Sequence, residues 1–199
     1  MTSPQRFGVA LLWLLGGVHA AYAGVEKTTV PCDDKMCLWE RPMVASVSAW
    51  QLDADRSARL RTAIYVLADD HGAQPEATAH VMTQAFARPA GARLEDFIIA
   101  ERDRLLGPSL DMQVHEVSAV QDGSGARLPA IEIAPRAERS GAVQTVVFAQ
   151  DGDYFVTLSY SATSREAHRA HWRDFTRFVA AYRADKASVG APPGKRAKR

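Results

Sequence analysis

The sequence predicts an α+β protein in which a mainly antiparallel sheet is covered by two principal helices. Three observations predict this class. β-Branched and apolar runs follow one another with short turns between them, Asp151-Gly152 separates two such runs, and two segments are amphipathic at helical spacing, at residues 94–106 and 164–182. Adjacent strands punctuated by amphipathic helices are typical of α+β domains. We therefore expect one mainly antiparallel sheet with the two helices packed on it.

Residues 1–23 have the three zones of a cleavable signal peptide. Arg6 is the basic residue, residues 7–18 form an apolar run, and Ala21-Tyr22-Ala23 gives a small-x-small cleavage site. We expect cleavage between Ala23 and Gly24. The alternative is a retained anchor, but a spanning helix needs about 20 apolar residues, and this run is shorter. The prediction is a periplasmic or secreted protein without a membrane span after cleavage.

Residues 24–44 are predicted to form an N-terminal segment with a short disulfide loop between Cys32 and Cys37. An even cysteine count at close spacing in an oxidising compartment favours a disulfide. Closing so short a loop stabilises the fold by only about 2 kcal/mol. Zinc is the alternative, but it needs two further ligands, and Asp33 and Asp34 are poor substitutes for Cys or His.

Residues 45–185 are predicted to form a single α+β domain. Its first strand, or the approach to it, falls within 43–52, and residues 53–61 are a loop or one helical turn. Apolar or alternating runs predict the further strands, at 62–68, 78–87, 112–120, 128–134, 143–150 and 153–162. The last two flank Asp151-Gly152, a strong hairpin signal. A turn at these two residues places Ala149 opposite Tyr154 and predicts a central hairpin with both faces covered.

The two helices are predicted from their apolar faces. Leu94, Phe97, Ile98 and Leu105 share one face of the first helix, which ends at Gly107-Pro108. The last helix begins at a capping box over residues 163–166. Its apolar stripe is formed by Trp172, Phe175, Phe178, Val179 and Tyr182, with Arg169, Arg173, Thr176 and Arg177 opposite.

These elements resemble the PsbP/Mog1-like fold over about residues 45–185. The resemblance is carried by the helix segment at 94–100, the hairpin at 146–160 and the closing helix with Trp172, Phe175 and Phe178. It implies an αβα sandwich that is often an accessory or binding module and rarely an enzyme. No functional residue of those families has a match in this sequence, so neither photosystem binding nor GTPase binding is implied.

Charge is unevenly distributed along the chain. Residues 24–185 contain 18 Lys and Arg against 23 Asp and Glu, whereas residues 186–199 contain five basic residues and no acid. The basic, Pro- and Gly-containing tail is predicted to be disordered. A solubilising terminus is favoured over contact with anionic lipid or nucleic acid, and no nucleic-acid partner is expected.

Two helical histidines are the first candidate site. His168 and His171 have i, i+3 spacing, which can place two imidazoles on one metal ion or form a pH-sensitive contact. They lie within the apolar stripe of the last helix, and no third ligand accompanies them. We therefore expect packed histidines, with no metal and no cofactor.

Glu101 is the second candidate, because it lies inside the apolar face of the 94–106 helix. A carboxylate there needs a donor, a route to solvent or a proton. A rim Glu paired with Arg102, Arg104 or a sheet Tyr is expected, and the alternative is a ligand-facing group in a pocket.

The expected function is that of a non-enzymatic accessory or binding protein of the bacterial envelope, with another envelope protein as partner. Catalytic, phosphate-binding and dinucleotide motifs are absent from the sequence. Two alternatives remain. One is an immunity protein that inhibits a toxin, and the other is a small envelope hydrolase using Glu101 or His168 and His171.

Overall fold

The computed structural model describes residues 24–32, 35–68, 78–107, 111–136 and 141–184. The predicted signal peptide and the predicted basic tail lie outside these residues. The described elements, in chain order, are β1 (Val25–Cys32), β2 (Lys35–Pro42), β3 (Trp50–Leu52), α1 (Ala54–Leu60), β4 (Ala63–Leu67), β5 (Ala79–Ala87), α2 (Leu94–Leu106), β6 (Met112–Gln121), β7 (Arg127–Pro135), β8 (Val143–Asp151), β9 (Tyr154–Ala162) and α3 (Arg165–Ala181).

Seven strands form one sheet in the order β3-β4-β5-β9-β8-β7-β6, and every neighbouring pair is antiparallel. The predicted α+β class is therefore confirmed. The β8–β9 hairpin lies at the middle of this order, as its apolar residues on both faces predicted. Strands β3 and β6 are the two edges of the sheet.

The helices α2 and α3 pack on opposite faces of the sheet, which gives the predicted αβα layering. Side chains of α3 pack on Val147, Leu158 and their neighbours on one face. Side chains of α2 pack on Val146 and Phe148, which point the other way because side chains alternate along a strand. Both predicted apolar helix faces thus contact the sheet.

The predicted register of the β8–β9 hairpin is wrong by two residues. Asp151 pairs with Tyr154 and Ala149 pairs with Val156, so the turn residues are Gly152 and Asp153. Gly152 has φ of +58°, and Asp153 has no positive φ. A type II′ turn needs Gly at its first central position, which explains the placement. The shift is an even number of residues, so each side chain keeps its predicted face.

The last helix begins one residue later than the predicted capping box. Ser164 is the N-cap, and its side chain accepts a hydrogen bond from the backbone N–H of Ala167 at 3.1 Å. Thr163 instead donates its backbone N–H to the carbonyl of Thr78 at 3.0 Å. The chain therefore uses Thr163 to join β9 to the start of β5, and the next hydroxyl caps the helix.

The N-terminal segment contains an antiparallel hairpin, β1–β2, that the sequence analysis did not predict. Val30 and Trp39 from the hairpin form a small cluster with Ala63 of β4. The hydroxyl of Tyr154 donates to the Glu40 carboxylate at 2.7 Å. The hairpin therefore packs on the body of the protein, through an apolar cluster and a polar contact.

The predicted disulfide between Cys32 and Cys37 is confirmed. It joins the end of β1 to β2 across the hairpin, with the two Cα atoms 5.8 Å apart. Both cysteines are used, so no free thiol remains in the described chain. With both sulfurs in the disulfide, neither cysteine presents the thiolate that a zinc site requires.

Candidate functional site

Glu101 occupies the buried face of α2 and is only 6% exposed. Arg104, one turn along the same helix, donates from Nε to Oε2 of Glu101 at 2.7 Å and from Nη2 to the other carboxylate oxygen. This bidentate geometry is the favoured pairing of a carboxylate with arginine. Arg104, one of the partners expected from the sequence, therefore satisfies the charge of Glu101.

His168 is buried between aromatic rings on the α3 face of the sheet. Its ring centroid lies 4.7 Å from that of Tyr160 and 5.5 Å from that of Trp172. Nε2 and the hydroxyl oxygen of Thr145 are 2.9 Å apart in a hydrogen bond. Burial lowers the pKa of His168, and the nearby Glu132 carboxylate partly opposes this. The neutral imidazole is favoured, as expected of a packed histidine.

His171 does not share the surroundings of His168. It is half-buried and lines a cleft of about 290 Å³ together with Asp174 of the same helix, Ser48 and Thr78. Among the described residues, no group of three or more His, Cys, Asp or Glu side chains could hold a metal ion. The two histidines therefore lie in different environments, although their i, i+3 spacing puts them close together on the helix.

The sheet separates Glu101 from the two histidines, which both lie on α3. Glu101 lies on α2, which packs on Phe148 and its neighbours. His168 contacts Thr145 on the opposite face of the same strand. The structure thus brings no candidate base and carboxylate from these three into one pocket.

A surface that the sequence analysis missed is the outer edge of β6. Residues 112–117 pair in regular register with β7, and among the described residues no strand pairs with their other side. A β-bulge follows, in which Ser118 and Ala119 lie opposite Pro129. Pro129 has no backbone N–H, which accounts for the interruption at this point. The regular edge ahead of the bulge is available for pairing.

Clefts flank β6 on both faces of the sheet. On the α2 side, a cleft of about 450 Å³ is lined by Glu95, Ile98 and Ile99 of the helix and by Glu116 of β6. On the α3 side, a cleft of about 530 Å³ is lined by Trp172, Arg177 and the bulge residues. Ile99 is 51% exposed. The edge thus has an apolar, acidic cleft on one side and an aromatic cleft on the other.

A third cleft, of about 460 Å³, was also missed. It lies beside the opposite edge of the sheet and is lined by Arg41 at the end of β2, by residues 44–48, by β3, and by Tyr65 and Phe178. Its walls come from β2, β3, β4 and α3, so no local pattern identifies it.

The fold and these surfaces define a class: a disulfide-containing αβα sandwich with open clefts at both sheet edges. No protein-family model matches the sequence, and no curated protein matches it. Among solved structures, the chain is similar to cyanobacterial PsbP from Synechocystis sp. PCC 6803. The match covers 85% of this chain and 96% of that chain, with a TM-score of 0.45 and 14% identity.

Helices long and apolar enough to cross a membrane are not found among the described residues. The disulfide is consistent with an exported protein, since such bonds persist in oxidising compartments.

Proposed function

We propose that this protein is an exported, non-enzymatic binding protein that captures an extended segment of another envelope protein along β6. The observation that carries the proposal is the unpaired outer side of residues 112–117. At its end, Glu116 and Val117 line the α2-side cleft, and the bulge residues that follow line the α3-side cleft. An unpaired edge offers a row of backbone donors and acceptors to an added strand. The conformation needed for binding is therefore already formed in the protein.

The two clefts supply side-chain selectivity for such a strand. Because successive side chains of a strand point to opposite faces, one set would face the α2-side cleft, and the other set would face the α3 side, where the cleft begins at the bulge. Glu116 favours a basic side chain on the α2 side, next to the apolar surface of Ile98 and Ile99. Glu95 lines the same cleft but is already paired with Arg93 at 3.3 Å. Trp172 favours an apolar or aromatic side chain on the α3 side.

Binding is favoured over hydrolysis by the surroundings of the candidate residues. Glu101 is neutralised by Arg104, and His168 is held by Thr145 beneath the aromatic rings of α3. A general base needs to be within hydrogen-bond reach of the proton it takes, and neither group lines the clefts beside β6. The immunity-protein alternative would use the same surface, with the toxin supplying the strand that adds to β6.

Export and oxidation are tested by mass spectrometry of protein taken directly from the envelope. We expect an N-terminus at Gly24 and a mass lower by two hydrogen atoms than that of the reduced chain, because the disulfide is formed in the folded protein. An intact Met1 would contradict cleavage, and two free thiols would contradict oxidation.

Strand capture is tested by Ile99→Arg, which places a charged side chain in the α2-side cleft. We expect capture of the partner from envelope extract to fall about tenfold or more, because the arginine side chain would occupy the cleft and compete with the partner's basic side chain for Glu116. Leu60→Arg is the matched control, since Leu60 is 58% exposed on α1, away from this cleft. In the complex, alternate amides of residues 112–117 should become protected from hydrogen exchange.

Equal capture by the two arginine variants, or unprotected β6 amides in the complex, would count against strand addition. The hydrolase alternative has its own test. Glu101→Gln, His168→Ala and His171→Ala are each expected to retain capture. Loss of cellular complementation by one of them, at an unchanged melting temperature, would favour catalysis.

A further inference from the structure

The cleft beside β3 contains two buried hydrogen-bond donors without acceptors. Trp50 is only 4% exposed, and among the described residues its indole Nε1 has no hydrogen-bond partner. Nε of Arg41 is also buried and unpartnered within the described chain. Both residues line the same cleft. Buried donors are normally paired, so two exceptions at one cleft are unusual and point to an acceptor from outside the protein.

Arg41 is held in place by its neighbours. Its Nη2 forms an ion pair with Glu26 of β1, and its guanidinium lies 5.3 Å from the ring centroid of Trp39. Neither contact uses Nε. Because the donors of arginine have a fixed geometry, a guanidinium held in this way is prepared for an acceptor at Nε.

Aromatic rings form part of the cleft wall, beside aliphatic residues and the polar residues Ser46, Ser48 and Gln51. The rings of Tyr65 and Phe178 meet edge to face with centroids 4.8 Å apart, and those of Trp50 and Phe178 are 6.4 Å apart. The volume of about 460 Å³ is within the range of small-molecule sites. An apolar wall with a small number of fixed donors is the usual composition of a site that binds an apolar molecule by one polar group.

We infer that this cleft binds the carboxylate of a small apolar or aromatic acid, with the carboxylate accepting from Arg41 and Trp50 and the apolar body against Tyr65 and Phe178. A carboxylate fits because it accepts only, and a hydrogen bond to an ionised group is stronger than one to a neutral group. The same chemistry occurs in a free acid and at the C-terminus of a peptide. The inference concerns the β3 edge and does not depend on strand capture at β6.

The test uses the mature, oxidised protein and two probes: 3-phenylpropionate, and N-acetylglycylphenylalanine with a free carboxylate. We expect millimolar or tighter binding of at least one probe, together with a downfield shift of the Trp50 indole N–H resonance. The corresponding neutral amide should bind about tenfold more weakly, because it lacks the ionised acceptor. Tighter binding of the first probe assigns the site to free acids, and tighter binding of the second assigns it to peptide C-termini.

Two variants remove the donors separately. Trp50→Phe keeps an aromatic ring, and Arg41→Lys keeps the charge, and each is expected to weaken binding about tenfold. The matched control is Arg88→Lys. Arg88 also has a buried, unpartnered Nε within the described residues, but it does not line this cleft. This control should bind like the wild type.

Trp50 packs in the core, so Trp50→Phe could weaken binding by disturbing the fold. Arg41 lies on the β1–β2 hairpin, so Arg41→Lys tests the site without changing the core. Three results would overturn the inference: an unmoved Trp50 resonance at saturating probe, equal binding of acid and amide, or full binding by both donor variants at an unchanged melting temperature.

Discussion

Replacing Phe175 with alanine is expected to lower the free energy of unfolding by about 3–5 kcal/mol, the range for deleting a buried aromatic ring. Phe175 is fully buried, and its ring stacks on Tyr160 with centroids 4.9 Å apart. The Trp172 ring lies 5.5 Å away. Because the ring is enclosed between α3 and the sheet, its removal leaves a cavity that the neighbouring rings cannot easily fill. Denaturant titration measures the loss.

Arg173→Ala is the control on the same helix. Arg173 is exposed, so the substitution should change the free energy of unfolding by no more than about 0.5 kcal/mol. Equal losses in the two variants would mean that α3 does not present the Phe175 face to the sheet.

Phe97→Ala is expected to destabilise the opposite face of the sandwich by about 3 kcal/mol, the lower end of the same range, because Phe97 is partly buried. Its ring stacks on Phe155 at 4.7 Å and contacts Phe86 at 5.3 Å and Phe148 at 6.2 Å, measured between centroids. The side chain thus connects α2 to three neighbouring strands of the sheet. Thermal and denaturant unfolding both report the effect.

Ile99→Ala on the same helix is the comparison, since Ile99 is half exposed in the cleft beside β6. Ile99→Ala should lower the free energy of unfolding by no more than about 1 kcal/mol, much less than Phe97→Ala. A Phe97→Ala protein as stable as the wild type would show that α2 contributes little to the core.

The helices and the central hairpin were predictable because their signals are periodic and local. The stripe from Trp172 to Tyr182 repeats at helical spacing, and Asp151-Gly152 marks a turn. The exact register was not predictable in the same way. A turn at residues 151–152 and a turn at residues 152–153 both leave each side chain on the same face of the sheet. The positive φ of Gly152, at the first central position, goes with the second of these turns.

The β1–β2 hairpin gave a much weaker signal. Its residues are mostly half-exposed, and Met36 and Leu38 are exposed although apolar. Strand alternation depends on one face being buried, and here only Val30 and Trp39 are buried in the cluster with β4. The cysteine spacing predicted the disulfide, whereas the pairing of the strands depended on contacts with the rest of the protein.

The candidate residues show the same division. The sequence placed Glu101 within an apolar helix face and named Arg104 as a possible partner, because both lie on one helix at i, i+3 spacing. It also placed His168 and His171 on one stripe. Only the packed structure separated the two histidines, because Thr145 and Tyr160 surround one of them and not the other.

The sequence by itself determined the α+β class, the apolar faces of both principal helices and the disulfide between Cys32 and Cys37. Each of these follows from spacing within a short stretch of chain. The tertiary structure alone decided which strands are edges and which donors lack acceptors. The β6 edge results from the order of seven strands, and the cleft with Arg41 and Trp50 combines residues far apart in sequence. Such surfaces arise from long-range packing, so no local pattern of residues records them.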